Sequence, residues 1–201
     1  YITLNKMDPA LWEARNAARQ QILSNQQNTH PIIVPSVLSD PHPLIKATMK
    51  RLMKRNAPRN DKGLRSVPAE VLHLEVTPSV LDRALLILDT LIKELTKRSV
   101  AVRVDTQVKR TVLDFNGTAV TLKINEQIKE IPHVVTEREK KTLERYKRNP
   151  HWSSSPRYPS IPRLDYYPTG LLTITLGQHP SRRWKDTKLT PLEQRLGEVV
   201  E

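Results

Sequence analysis

The sequence contains no cysteine and only five glycines among its 201 residues. Without cysteine the chain can form no disulfide, no thiolate zinc site, no iron–sulfur cluster and no cysteine nucleophile, and this composition fits a reducing cytoplasm. It shows no phosphate-binding loop, dinucleotide fingerprint or Gly-x-Ser-x-Gly elbow. We therefore expect a cytoplasmic protein that carries no cofactor and whose role leans away from catalysis.

Long apolar runs are missing as well. No stretch approaches the roughly 18 apolar residues of a membrane-spanning helix, so we expect no membrane association. The chain starts with Tyr1-Ile2-Thr3-Leu4 and shows neither a Met nor a signal-peptide pattern. We expect an excised piece of a longer protein, or one whose disordered start is left out.

Positive charge is what the sequence has in excess. Its 33 Lys and Arg residues face 21 Asp and Glu residues, which gives a formal net charge of +12. Solubility alone needs a net charge of about 2 to 8 in a small domain, so the surplus indicates a polyanionic partner. Nucleic acid is the commonest such partner, followed by anionic membranes and acidic proteins, and a purely solubilising role stays open.

The N-terminal region is predicted to form an arm in front of the main domain. Asp8-Pro9 is typical of a helix start and predicts a helix over 9–27 with a thin, alanine-rich apolar stripe. Four prolines within 28–43 predict an extended linker. We assign 1–40 to this helix and linker and 41–201 to a basic α+β domain, and the helix at 9–27 is a candidate contact to a protein partner or a second copy.

Helical periodicity recurs in the main domain. Apolar residues at three- and four-residue steps predict an amphipathic helix over 44–56 and a hydrophobic spine over 78–98. Capping boxes at Thr136-Glu137-Arg138-Glu139 and Thr190-Pro191-Leu192-Glu193 predict two further helices.

Strand patterns lie between these helices. Period-two alternation around Asn116-Gly117 predicts a three-stranded meander over 100–126, and 171–176 predicts a fourth strand. The Pro- and Tyr-rich stretch 149–170 predicts a long loop. The expected fold class is α+β, with a three- to four-stranded, mainly antiparallel sheet packed by helices and an N-terminal helical arm.

Patterns that would indicate catalysis are weak. No two of the six histidines stand three or four residues apart, so we expect no metal site. A metal-dependent nuclease is the enzymatic alternative, with Asp105, Asp114 and Glu126 as ligands beside Lys123. However, Asp114 next to a turn is typical of a local hydrogen bond, and solvated polar strand faces explain the others.

Three basic clusters are the candidate nucleic-acid contacts. The first lies on and after the helix at 44–56, where it forms either a phosphate-contacting face or a solvated one. The second lies in 138–163 and combines guanidinium groups with aromatic rings, which stack on bases or anchor a loop over the sheet. The third flanks Trp184, itself a candidate core residue. The selected residues are Lys46, Lys50, Arg51, Lys54, Arg55, Arg145, Arg148, Arg182, Arg183 and Lys185.

Several short motifs carry a resemblance. They are Thr169-Gly170-Leu171, Arg183-Trp184-Lys185-Asp186, Leu192-Glu193, the helix with Asp82-Arg83-Ala84-Leu85, and the Asn116-Gly117 hairpin. With them the chain resembles a set of uncharacterised bacterial proteins, often associated with mobile elements, in which a helix-turn-helix-like segment precedes such a domain. The resemblance covers roughly residues 41–201 and implies a DNA-related role.

The sequence thus predicts a nucleic-acid-binding protein, with double-stranded DNA favoured over RNA. Its contacts would be made by Lys and Arg to phosphates, in a regulatory, mobile-element or defence setting. The alternatives are the nuclease described above and an interaction or oligomerisation module that acts through the helix at 9–27.

Overall fold

A computed structural model describes residues 32–66, 71–115, 117–148 and 159–200. Some predictions fall outside these residues: the helix at 9–27 with the first part of the linker, Asn116 of the predicted turn, and the segment 149–158. In the described part, helices accompany a six-stranded, mainly antiparallel sheet. The α+β class is therefore confirmed.

The helices follow the apolar periodicity. In chain order they are α1 (Pro43–Leu52), α2 (Leu81–Lys97), α3 (Glu137–Arg148), a 3₁₀ turn (Leu192–Arg195) and α4 (Leu196–Val200). Helix α1 ends four residues before the predicted end at 56. Its last carbonyl, on Leu52, accepts a 2.6 Å hydrogen bond from the Arg65 guanidinium, which satisfies one of the unpaired groups at the end of the helix.

Of the two predicted capping boxes, one is confirmed and the other is wrong. Glu139 accepts from the backbone N–H of Thr136 at 2.8 Å, and the Thr136 hydroxyl accepts from the N–H of Glu139 at 3.3 Å. At the second site, Pro191 stands at the helix start without a side-chain cap, and the Glu193 carboxylate binds Arg83 instead. A distant ion pair therefore displaced the expected local hydrogen bond.

The sheet has six strands, so the prediction of three to four is wrong. The strands are β1 (Leu74–Glu75), β2 (Ala101–Asp105), β3 (Arg110–Phe115), β4 (Thr118–Pro132), β5 (Leu164–Leu176) and β6 (Arg182–Lys185). The order β2-β3-β4-β5-β6 is antiparallel throughout, and β1 pairs in parallel with β4. Because β5 pairs along one side of β4, β1 and β3 both lie along its other side.

The predicted meander over 100–126 is confirmed, but the predicted loop at 149–170 is wrong over its last part. Residues 164–170 belong to β5, where Tyr166 pairs with Glu130 and Tyr167 pairs with Lys129. This ribbon continues the β4–β5 pair beyond a register shift between Glu126 and Ile128. Proline and tyrosine suggested a loop, yet the second strand of such a ribbon needs no alternating apolar pattern because much of it stays exposed.

One face of the sheet carries the hydrophobic core. Leu85 and Leu88 of α2 join Ile124, Ile174 and Trp184 of the sheet in a single cluster of buried side chains, to which α1 and α4 also contribute. Side chains alternate between the two faces of a strand, so the neighbours of these core residues point to the opposite side. That side is the polar face considered next.

Candidate nucleic-acid interface

Two rows of paired residues form the polar face, the side of the sheet opposite the core. Directly paired residues of neighbouring strands point to the same face, and strands lie about 4.8 Å apart. The first row consists of Lys123, Thr175 and Arg183, and the second of Glu75, Asn125, Thr173 and Lys185. Cationic side chains from β4 and β6 therefore lie within about 10 Å of each other across the sheet.

An open cavity of about 730 Å³, the large cavity, lies over the second row. Its lining includes Asn60 and Lys62 from the loop after α1, and Asn125, Thr173 and Lys185 from the sheet. Thr173 is only 4% exposed, and its hydroxyl is the one buried side-chain oxygen or nitrogen in the described residues that has no hydrogen-bond partner. Such groups are rare in native structures and call for an explanation.

A second opening of about 300 Å³, the small cavity, adjoins the first and shares Lys123, Thr175 and Arg183 with it. It reaches to the β5–β6 turn, where Gly177 has a φ of 74° and donates its N–H to the carbonyl of Thr121 at 2.8 Å. This turn brings the loop from Gly177 to Ser181 against β3 and β4. The small cavity is thus built from four strands, β3 to β6, and the turn between β5 and β6.

Glu75 lies on the polar face, and its carboxylate is already paired with neighbouring basic side chains. Its carboxylate lies 2.9 Å from the Lys123 ammonium and 3.5 Å from Nε2 of His73. The hydrogen bond from His73 is the strongest influence, burial opposes it, and Lys123 adds to it, so the pKa of Glu75 falls to about 2. Glu75 therefore stays ionised at neutral pH and offsets part of the positive charge of Lys123.

The structure divides the predicted cluster around Trp184. Arg183 and Lys185 point to the polar face and are exposed, and neither forms an ion pair with any residue in the described ranges. Arg182 lies on the core side with Trp184, and its guanidinium stands 5.8 Å from the indole centroid. Trp184 itself is buried in the core, as the sequence predicted.

The basic cluster at α1 lies in the helical layer. Lys46, Lys50, Arg51, Lys54 and Arg55 are all exposed. Lys46 lies 3.4 Å from Asp40 in a solvent-exposed ion pair, a type that contributes little to stability. The opposite side of the helix buries hydrophobic residues in the core. The predicted amphipathic arrangement is therefore present, with its basic side chains exposed.

Arg145 and Arg148 lie in the last turns of α3, and both are exposed. None of the twelve residues of α3 is buried, and six of them are Lys or Arg against three Glu. The structure does not bring Arg145 or Arg148 into the lining of either cavity. They form a separate basic surface.

A polar cluster fixes the start of α3. His133 lies between Asp165 of β5, 2.8 Å from its Nδ1, and Glu139 of α3, 3.0 Å from its Nε2. Hydrogen bonds to Glu139 and then to Asp165 raise the pKa of His133 above its ordinary value. The imidazole therefore connects the helix to the ribbon, and these contacts favour its protonated form.

The three carboxylates of the nuclease alternative do not meet. Asp105 accepts from the N–H groups of the turn that follows it, and Asp114 accepts from Gly117. Glu126 is buried and accepts from Thr77 and from the N–H of Gly170. No group of three or more His, Cys, Asp or Glu suited to a metal ion occurs in the part of the chain that the structure describes.

Asp186, the last residue of the Arg-Trp-Lys-Asp motif, holds structure together. Its carboxylate is 1% exposed and accepts both terminal nitrogens of Arg83, at 2.7 and 3.0 Å. It also accepts the backbone N–H groups of Leu172 and Leu192. Burial opposes ionisation, but the hydrogen bonds from Arg83 and the two amides outweigh it and lower the pKa of Asp186.

Sequence reasoning missed several residues of the polar face. Arg110, His73 and His179 line the small cavity, and Lys62 lines the large one. Lys62 also pairs with Glu130 at 3.0 Å and stands 5.1 Å from the Tyr166 ring centroid. Period-two alternation around Lys123 was the only local signal for this face, and it does not say which strands lie next to β4.

No family model, no curated protein sequence and no solved structure matches this chain. None of the helices in the described ranges is long and apolar enough to cross a membrane.

Proposed function

We propose that this chain binds nucleic acid, and double-stranded DNA in preference to RNA. The observation that carries the proposal is the pair Arg183 and Lys185 on the polar face, both exposed and both without an acidic partner in the described residues. A protein that carries +12 gathers polyanions, and unpaired cations on an open surface are the groups that contact phosphates.

The arrangement of these cations favours a phosphate backbone over a single small anion. Arg183 and Lys185 stand two positions apart on β6, about 6.5 Å along the extended chain, and both are exposed. The exposed basic face of α1 supplies further cations in the helical layer. A long polyanion can contact several such groups, and each contact releases counterions.

The decisive experiment is a salt series of DNA binding followed by fluorescence anisotropy. If Arg183 and Lys185 each contact a phosphate, R183A/K185A should reduce the slope of log K against log salt by about 1.8, since each contact contributes about 0.9. The matched control K97A/R98A removes the same charge from the exposed end of α2. An equal loss of slope in both variants would show a general charge effect, and an unchanged slope in R183A/K185A would remove the polar face from the interface.

Two further arms sharpen this test. The K50A/K54A variant measures whether the basic cluster at α1 shares the interface. Duplex DNA, duplex RNA and single strands of one sequence, run in parallel, test the preference for DNA, which fails if RNA binds as tightly at every salt concentration.

A further inference from the structure

The two joined cavities of the polar face differ in their chemistry although they share one floor. Lys123, Thr175 and Arg183 line both. The described residues that line the small cavity include no Asp or Glu, whereas the large cavity has Asp61, Glu75 and Glu126 beside its cations. An anionic group is therefore favoured more strongly in the small cavity than in the large one.

The small cavity has the groups that recognise phosphate. Arg110, Lys123 and Arg183 approach it from three different strands, and His73 and His179 stand at its sides. Guanidinium and ammonium groups form short, charge-assisted hydrogen bonds to phosphate oxygens, and arginine does so with two parallel N–H groups. Lys123 on β4 and Arg183 on β6 belong to paired strands, so the backbone positions of these two cations are fixed.

The large cavity has the groups that recognise an uncharged polar ligand. The buried Thr173 hydroxyl has no partner in the described residues, and a ligand hydroxyl or ring nitrogen would satisfy it. Asn60 and Asn125 bring side-chain amides, which can both donate and accept. A volume of about 730 Å³ lies within the range of small-molecule sites.

We propose that these two cavities together bind a single nucleotide unit, with its phosphate in the small cavity and its sugar and base in the large one. The proposal deepens the proposed function, on which it rests, by assigning one unpaired or flipped-out nucleotide of the nucleic acid to a built site. Among the described residues, the lining of the large cavity, where the base would lie, includes no aromatic ring on which the base could stack. Recognition should therefore depend strongly on the phosphate and only weakly on the identity of the base.

The test is calorimetric titration of the full chain with four probes: deoxyadenosine 5′-monophosphate, thymidine 5′-monophosphate, deoxyadenosine and inorganic phosphate. Both nucleotides should bind with similar affinity, and the nucleoside and inorganic phosphate should each bind at least about tenfold more weakly. Equal binding of nucleotide and inorganic phosphate would overturn the assignment of the large cavity. Equal binding of nucleotide and nucleoside would overturn that of the small one.

Variants connect the result to the named residues. R110A should weaken nucleotide binding by about tenfold or more, and K97A should leave it unchanged. T173V should weaken nucleotide binding without affecting inorganic phosphate, and T173S, which keeps the hydroxyl, should restore it. If T173V fails to fold, R110A and the four probes still decide the matter, because nucleotide affinity unchanged in R110A overturns the proposal.

The two proposals can fail separately. If no nucleotide binds while R183A/K185A still lowers the salt slope on DNA, the nucleotide site is overturned and the proposed function stands. If the nucleotides bind as expected while DNA binds no more tightly than a single nucleotide, the site stands and the proposed function falls.

Discussion

Replacing Asp186 with alanine should lower the free energy of unfolding by about 3–5 kcal/mol, the usual effect of breaking a buried ion pair. The variant leaves Arg83 with Glu193 as its remaining carboxylate, at 2.6 Å. It also strips the N–H groups of Leu172 and Leu192 of their acceptor inside the core, which costs about 1–3 kcal/mol for each donor that stays unsatisfied. Because Arg83 keeps Glu193, most of the expected loss comes from the two unsatisfied donors, about 2–6 kcal/mol together.

The assay is urea unfolding followed by far-ultraviolet circular dichroism, with E193A as the control. Glu193 is 28% exposed and accepts only from the same arginine, so its loss should cost about 1 kcal/mol or a little more. A loss of 3–5 kcal/mol corresponds to a fall in Tm of roughly 6–20 °C in a chain of this size. A D186A variant within about 1 kcal/mol of wild type, or one less affected than E193A, would refute the reasoning.

Asp186 also predicts an acid response of known sign. Its folded-state pKa lies below the ordinary value of 3.8, so its contribution to stability is present above that value and is lost as pH falls through the folded-state pKa. The difference in unfolding free energy between wild type and D186N should therefore shrink below about pH 4.

Two other predictions concern single contacts. The folded-state pKa of His133 lies above 6.5 because of Glu139 and Asp165, so the stability that it contributes is present below pH 6.5 and is lost as pH rises through that pKa. The difference in unfolding free energy between wild type and H133Q, measured by urea unfolding, should therefore narrow from pH 6 to 9. A difference that widens over this range would contradict the prediction. G177A should destabilise the chain by more than about 1–2 kcal/mol, because its φ is 74° and an added Cβ would lie 2.8 Å from a carbonyl oxygen of the same turn. The control G63A shares the positive φ but meets no atom within 4 Å, so it should cost less in thermal unfolding, and equal costs would count against the clash.

Local chemistry made part of this fold readable from the sequence. The spacing of Leu81, Leu85, Leu88 and Leu95 predicted α2, whose buried residues include all four. The alternation in 100–126 predicted strands that do pair as a meander. Each of these signals depends on residues only a few positions apart, and the sheet and helix merely follow the period that they set.

The candidate site was only partly predictable. Arg183 and Lys185 were selected because of their charge, but nothing in the sequence distinguished them from Arg182, whose guanidinium lies over the Trp184 ring instead. A four-residue strand of Arg-Arg-Trp-Lys has no apolar alternation, so β6 was not predicted. Once residues 182–185 are known to form a strand, the two-residue period places Arg183 and Lys185 on one face and Arg182 on the other.

By itself the sequence determined the excess of positive charge, the α+β class, the core helix and the strands of the meander. Only the tertiary structure decided that Arg110, Lys123 and Arg183 share one cavity, that Asp186 binds Arg83, and that the buried Thr173 hydroxyl has no partner among the described residues. The reason is that these neighbours come from strands and helices far apart in the chain. Their meeting depends on pairing register, where a shift of one residue would turn every side chain to the other face.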